Sequence, residues 1–468
     1  MELLFGVSNF GKIRNAQIVM GGLTLFVGDN NSGKTFLMQL LYGLVRDLGK
    51  VEVTSEGVRE LTEDGLEYGS EWFARLEEQI NRYLAKNKKR IVRSVFHREI
   101  PVEKIDFRFV HLSETYLCRF KDYEYEKTDG KESGMVERAR GRRVTVSMTD
   151  GAGTREKKLF ASRFGYYPDM DSLKTSMAQR VWKKILWGSV VNDDALFLPA
   201  SRTGLQLLGK YFFAERDRLL FENDILDFGD EDAGGKDIEE DGEDNVEENE
   251  LGLTSPVYDF LQFLLRYNPR SECLPGDRGL IRFMEENLID GKLKQMGEET
   301  FYRPSHSRRE VPLYLASSLV NELAPMIKVL TGRREYKYIF YDEIETCLHP
   351  LKQGEMARLI IRMVNSGRHM VVSTHSDTMA SKLNNLLLLS FSEDSKENRE
   401  SKLERLWLDE EDLLTDEKVH VYQFVNHSDG SSEVQELEFQ KAPYVGYDFK
   451  LFMKNLDELY EETDIILE

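Results

Sequence analysis

The residues Gly28-Asp-Asn-Asn-Ser-Gly-Lys-Thr35 spell a complete GxxxxGK[ST] loop, and that spacing suits the cradling of a nucleoside triphosphate. Gly28 and Gly33 let the backbone turn tightly, so that successive N–H groups, including those of Asn30, Asn31 and Ser32, converge on phosphate oxygens. The helix that follows adds partial positive charge at its N-terminus. Lys34 is expected to reach the β- and γ-phosphates, and Thr35 to hold Mg2+. An ordinary glycine turn with an exposed lysine would carry the same letters. The flanks favour the phosphate loop: Leu23-Thr-Leu-Phe-Val27 reads as a short strand before it, and Phe36-Leu-Met-Gln-Leu-Leu-Tyr42 as a buried helix after it.

A second group of candidates lies far downstream. Tyr336-Lys-Tyr-Ile-Phe-Tyr is an aromatic, β-branched run closed by two carboxylates, Asp342 and Glu343. A strand buried in a parallel sheet would deliver both at its C-terminal edge, where ligands of such sheets bind. Asp342 would then contact Mg2+ and Glu343 would polarise the water that attacks the γ-phosphate. Lys34 and Asp342 are 308 positions apart, so a large insertion must interrupt the nucleotide-binding fold. Another apolar strand, His369-Met-Val-Val-Ser-Thr374, ends at His375, which is placed to sense a γ-phosphate or else to cap and pack. Ser317 and Ser318 open a predicted helix upstream of the acidic strand. Exposed N–H groups and hydroxyls there make either an anion site or a plain N-cap.

The formal net charge is −20, but residues 229–250 alone carry twelve acids against Lys236. The remaining residues share about −9, which gives no strong electrostatic case for this chain binding DNA by itself. Basic clusters at Lys86-Asn-Lys-Lys-Arg90, Arg138-Ala-Arg-Gly-Arg-Arg143 and Arg308-Arg309 read first as solvated faces. Cys118, Cys273 and Cys347 are scattered with no C-x-x-C, which indicates neither a disulfide framework nor a zinc site and suits a reducing compartment. The N-terminus lacks the pattern of a secretory signal, and no run of about 18 apolar residues occurs. A cytoplasmic protein with no membrane partner is expected.

Between these motifs, residues 1–27 alternate like two or three antiparallel strands leading to the phosphate loop. Helical spacing appears at 35–48, 70–93 and 171–187, and strand-like pieces between Phe107 and Phe160 suggest a β-rich arm. Ala195-Leu-Phe-Leu-Pro199 reads as a buried strand ending near Arg202. Helical character follows from Leu205 to Phe228, then at 257–267 and 279–288. The tract at 229–252 between them is too charged to bury anything and is expected to be disordered.

Taken in order, the loop Gly28 to Thr35, Ser317-Ser318, Asp342-Glu343, Glu345-Thr-Cys-Leu-His349 and His375 make a sequence that resembles an ABC-type ATPase of the soluble, SMC-like kind. Within that class it is similar to ATPase subunits of bacterial anti-phage defence systems: the ATPase half of overcoming-lysogenization-defect proteins, and the Septu-like and PARIS-like partners. The resemblance covers residues 1–45 and 300–390 and almost nothing between. It implies an α/β fold, an ABC-type P-loop ATPase core with an antiparallel β subdomain and a mainly helical insertion. The core would then occupy 1–199 with the β-rich arm and resume over 291–390, the insertion 200–290 would carry the acidic tract 229–252, and 391–468 would form a C-terminal α/β extension.

The same resemblance implies roles for single residues. Ser317 and Ser318 become signature serines that touch the γ-phosphate held by a second subunit, residues 345–349 a loop crossing the dimer seam, and His375 the switch histidine. ATP with Mg2+ would be sandwiched in a homodimer, or in a larger ring of dimers, so that binding is coupled to association. Leu319 departs from the glycine usual after the paired serines, which weakens close backbone approach there. No glutamine matches the usual metal-contacting loop; Arg202 occupies a suggestive strand end.

Two functions compete. One is an ATPase scaffold that holds and releases a separate nuclease or toxin effector in phage defence, with a nucleic acid or a phage-derived molecule as trigger. No Glu followed by an Asp-x-Asp strand end is visible, and the Asp230-Glu-Asp232 run lies in the acidic tract, so effector chemistry would come from another chain. The other is a DNA-repair or recombination ATPase that clamps DNA directly; it predicts a basic channel and long heptad arms, and the sequence offers neither.

Overall fold

The computed structural model describes residues 1–61, 65–112, 114–128, 136–149, 156–164, 169–189, 195–209, 252–297, 299–415, 418–441, 446–449 and 460–466. The acidic tract up to 251, the helix expected from 210 to 228 and part of the C-terminal extension lie outside the described residues. The chain divides into two compact units, residues 1–21, 44–89 and 101–194 in the first, and 22–43, 90–100 and 195–468 in the second. Among the described residues no helix is long and apolar enough to cross a membrane.

The first unit is built on two antiparallel sheets. β1 (Glu2–Phe10) and β2 (Ile13–Met20) form a hairpin around Gly11, whose φ of 57° suits a residue without a Cβ. β6 (Lys104–Val110) pairs with the other edge of β1. A second sheet runs in the order β4 (Arg59–Leu61), β5 (Gly65–Tyr68), β7 (Thr115–Thr128), β8 (Val136–Thr149) and β9 (Glu156–Phe164). It occupies the stretch where the sequence suggests a β-rich arm. Two helices belong here, α2 (Ser70–Phe96) as far as residue 89 and α3 (Met170–Trp187), the latter capped by Asp169 and ended by Gly188 in the left-handed region. Edge-to-face aromatic contacts join these elements from Tyr68 through Trp72, Phe73 and Phe109 to Trp182.

The second unit carries the sheet that positions the candidate site. Its strand order is β10 (Ala195–Leu198), β14 (Tyr338–Tyr341), β15 (His369–Ser373), β3 (Leu23–Gly28), β16 (Val419–Asn426) and β17 (Ser432–Leu437). The first five are mutually parallel, and β17 returns antiparallel to β16. The near-continuous apolar composition of β10, β14, β15 and β3 is that of strands covered on both faces, whereas β17 mixes polar and apolar residues. Helices of this unit include α1 (Lys34–Leu48, to residue 43), α4 (202–209), α5 (Ser255–Leu265), α6 (Pro275–Phe283), α7 (Ser318–Thr331), α8 (Pro350–Asn365), α9 (Asp377–Ser390) and α10 (Lys396–Leu406). A π-turn, Met284–Leu288, extends α6, and a small sheet of β11 (Gly291–Met296), β12 (Glu299–Pro304) and β13 (Val311–Pro312) precedes α7.

Parallel register decides which strand ends meet. Tyr341 of β14 pairs with Val372 of β15, and Ser373 of β15 pairs with Phe26 of β3. The loop after β3, the carboxylates after β14 and the histidine after β15 therefore leave the sheet along one edge.

Candidate nucleotide site

The loop between β3 and α1 is held in a shape that ordinary residues resist. Gly28 has φ +132°, Asn31 +57° and Gly33 +95°. Gly28 also packs against the neighbouring strand, for a Cβ there would sit 2.3 Å from the Phe424 carbonyl oxygen of β16. Asn426, at the end of the same strand, donates to the Asn30 carbonyl at 3.3 Å. Asn30, Asn31 and Thr35 are exposed, Gly33 is half-buried, and Ser32 and Lys34 are buried.

Lys34 Nζ lies inside the loop, donating to the carbonyls of Gly28 (2.9 Å) and Asp29 (2.6 Å) and to Ser32 Oγ (3.2 Å). Burial lowers its pKa to about 8 against the opposing pull of Asp342, Asp29, Glu343 and Glu345. The three partners fill the donors of the ammonium with neutral oxygens, and phosphate oxygens would serve it better because each carries charge.

Thr35 Oγ1 donates to both oxygens of Asp342, at 3.1 and 2.9 Å. Asp342 is buried, and its carboxyl pKa is raised, first by desolvation, with Ser373 and Thr35 opposing through hydrogen bonds. Ser373 Oγ is the hinge of the acidic turn, donating to Asp342 Oδ1 at 2.5 Å and accepting the Glu343 N–H at 2.8 Å. A buried carboxylate beside a threonine hydroxyl is an oxygen donor set of the kind Mg2+ takes, with water and phosphate oxygens completing the shell. Among the described residues no group of three or more His, Cys, Asp or Glu could hold a metal alone.

Glu343 follows in the left-handed region, φ +46°, at a cost of order 1 kcal/mol for a residue with a Cβ. Its side chain is half-buried, with Thr346 Oγ1 at 3.5 Å from Oε2. Glu345 accepts the backbone N–H of His375 at 2.6 Å, so the loop after the acidic pair is tied to the histidine strand end; its other oxygen, Oε2, is buried without a hydrogen bond. His375 is half-buried and its pKa is lowered, by burial first and then by the Lys34 charge, against Glu345, Glu343 and Asp342. A neutral imidazole beside the loop can exchange one hydrogen bond with an incoming oxygen.

Ser317 and Ser318 stand apart from this cluster. Ser317 is the N-cap of α7, its Oγ accepting from Val320 N at 3.4 Å, and Ser318 is the first helical residue. Both are exposed, and neither hydrogen-bonds to the phosphate loop of its own chain.

Arg202, singled out in the sequence for its strand-end position, is turned into its own chain. Its guanidinium is wholly buried and committed to the carbonyls of Pro199, Asp342 and Glu343 and to the Glu322 carboxylate. A group so enclosed, and a cation itself, offers a metal nothing. Sequence reasoning passed over Ser373, Glu322 and Asn426; only Glu322 left a signal, as a lone acid within the apolar run of α7.

No protein-family model matches the chain, and no curated protein matches it either. Solved structures similar to it include an SMC head bound to the C-terminal winged-helix domain of ScpA, with TM-score 0.35 and 11% identity, covering 93% of this chain and 96% of that one. An SMC head domain from Thermotoga maritima gives 0.31 and 12%, covering 94% and 100%. An SMC head with an extended coiled coil, bound to the C-terminal domain of ScpA derived from Pyrococcus furiosus, gives 0.30 and 10%, covering 98% of each. Likeness at that level assigns neither residues nor activity to this chain.

Proposed function

We propose that this chain binds ATP with Mg2+ in the loop from Gly28 to Thr35, hydrolyses it with Glu343 as the base, and works as an ATPase scaffold controlling a separate effector. The observation that carries the reading is the Thr35–Asp342 contact at 2.9 Å, with Glu343 as the next residue. One hydroxyl from a GK[ST] loop and one buried carboxylate from a neighbouring parallel strand would supply part of the oxygen shell that Mg2+ takes, beside the loop that holds Lys34. When bound, Mg2+ supplies charge neutralisation for the phosphates. The chain supplies the rest: loop N–H groups and Lys34 orient the phosphates, Glu343 takes a proton from water, and His375 holds the far side.

In the same reading Ser317 and Ser318, both exposed and neither bonded to the phosphate loop of its own chain, meet the nucleotide of a second copy. The effector, a nuclease or toxin in anti-phage defence, is inferred from the order of motifs alone. Calorimetry and phosphate release on the purified protein, alone and with Lys34→Ala or Glu343→Gln, test the ATPase. Tight binding of duplex DNA by the lone chain at physiological salt would contradict the scaffold role and favour direct DNA clamping.

A further inference from the structure

We propose that Arg202 is a positioning residue for Glu343, and that its buried partner Glu322 makes the placement of that base depend on helix α7, which Ser317 caps. The inference rests on the proposed role of Glu343 as the base.

Arg202 sits where β10 turns into α4. One guanidinium nitrogen donates to the Pro199 carbonyl at 2.7 Å and to the Asp342 carbonyl at 2.6 Å; the other donates to the Glu343 carbonyl at 3.1 Å and meets Glu322 Oε1 at 2.7 Å. The Tyr341 ring lies below, 4.5 Å from its central carbon. Glu322 Oε2 in turn accepts the Thr203 N–H at 3.0 Å and hydroxyl at 2.7 Å. Both members of the ion pair are almost fully enclosed, at 0% and 1% exposure.

Burying such a pair is not an economical way to gain stability, since a well-packed apolar pair does as well. What it supplies here is geometry. Glu343 has a left-handed backbone that only its contacts can enforce; besides the turn's own Thr346 N–H on the Glu343 carbonyl at 3.2 Å, four contacts from outside the turn do so. Asp342 N–H donates to the Leu198 carbonyl at 2.9 Å, Glu343 N–H to Ser373 Oγ at 2.8 Å and Ile344 N–H to the Ser373 carbonyl at 3.2 Å. Those three come from strands β10 and β15 of the same rigid sheet. The fourth is the Arg202 fork on the carbonyls of both acidic residues, and it alone leads to α7. On α7, Glu322 lies one turn from Ser318, while Asn321 fastens the helix start by donating to the carbonyls of Ala316 (3.1 Å) and Ser317 (3.2 Å). A shift of the α7 N-terminus against a second copy would thus reach the peptide of the base through two side chains.

The test uses the full chain with ATP and Mg2+, reading kcat, KM, nucleotide affinity and melting temperature for Arg202→Lys, Glu322→Gln and the double variant Arg202→Met with Glu322→Leu. The double variant replaces the ion pair by apolar groups of similar size, so it is expected to melt within about 5 °C of the parent. Its kcat is expected to fall at least about tenfold with affinity held within about twofold, because methionine cannot hold the two carbonyls. Arg202→Lys should lie between, since a lysine reaches fewer acceptors in a less fixed geometry. Should the double variant fail to fold, Glu322→Gln decides: reduced kcat at unchanged affinity supports the link. Parental turnover in the folded double variant, or affinity falling in step with kcat, overturns it. Glu343→Gln, run in parallel, separates the premises: if it abolishes turnover while the Arg202 variants do not, only the link fails; if it turns over normally, the base reading itself fails.

Discussion

The Thr35 hydroxyl lies 2.9 Å from Asp342 Oδ2, although 307 positions of sequence separate the two residues. The parallel order β14, β15, β3 brings them to one edge of the sheet, and in the proposed reading the two would hold Mg2+ together when nucleotide is bound. Thr35→Val keeps the shape but removes the hydroxyl. It is expected to weaken MgATP binding about tenfold to a hundredfold while leaving Mg2+-free nucleotide binding little changed. Calorimetry with and without EDTA checks this, and equal losses under both conditions would count against Thr35 as a metal ligand.

Glu343→Gln retains the side-chain shape and loses the base. Turnover is expected to fall at least about a hundredfold with ATP affinity preserved. If Ser317 and Ser318 serve the nucleotide of a second copy, the same variant should gather as a dimer when ATP and Mg2+ are present. Light scattering after size exclusion reads the mass, and Ser318→Arg in that background should return it to the ATP-free value.

Gly28 occupies a position where space and backbone both exclude a side chain. With φ +132° and only 2.3 Å between an added Cβ and the Phe424 carbonyl, Gly28→Ala must push β16 away or distort the loop. The expected cost is about 2–4 kcal/mol of stability together with loss of ATP binding. Retained affinity and an unchanged denaturant midpoint would show that the loop tolerates the strain.

The loop, the two strands behind Asp342 and His375, and the helices around them were legible because each combines a local pattern with a chemical reason for its residues. The hairpin of β11 and β12 was not, since Gly-Lys-Leu-Lys-Gln-Met alternates only weakly and presents no motif. The partners of the acidic turn were hidden for another reason: Ser373 meets Asp342 only through the register of β14 beside β15, and Arg202 meets Glu322 across 120 positions. The role of Arg202 is hidden likewise, because a strand-end arginine looks the same in sequence whether its guanidinium faces a ligand or, as here, four acceptors of its own chain.

Asp412 anchors the segment after α10 against α8. It is fully buried, accepts from Arg362 Nε at 2.7 Å and Arg358 Nε at 2.9 Å, and its pKa is lowered because those bonds outweigh the desolvation that would raise it. A depressed folded-state pKa means that this contribution is present above the ordinary value of 3.8 and fades as pH falls through the folded one. Asp412→Asn should therefore cost about 3 kcal/mol at neutral pH, and progressively less below pH 3.8. Denaturant melts across pH check the sign, and a difference constant down to the acid transition would contradict it.

The central claim, that the loop from Gly28 to Thr35 holds a nucleoside triphosphate, is tested most directly by titrating ATP with Mg2+ into the purified chain and into Lys34→Ala in the calorimeter. Saturable binding of one nucleotide per chain, lost or weakened at least about a hundredfold in the variant while its melting curve stays intact, is the result expected. Equal affinity in both proteins, or no binding by either, would contradict it.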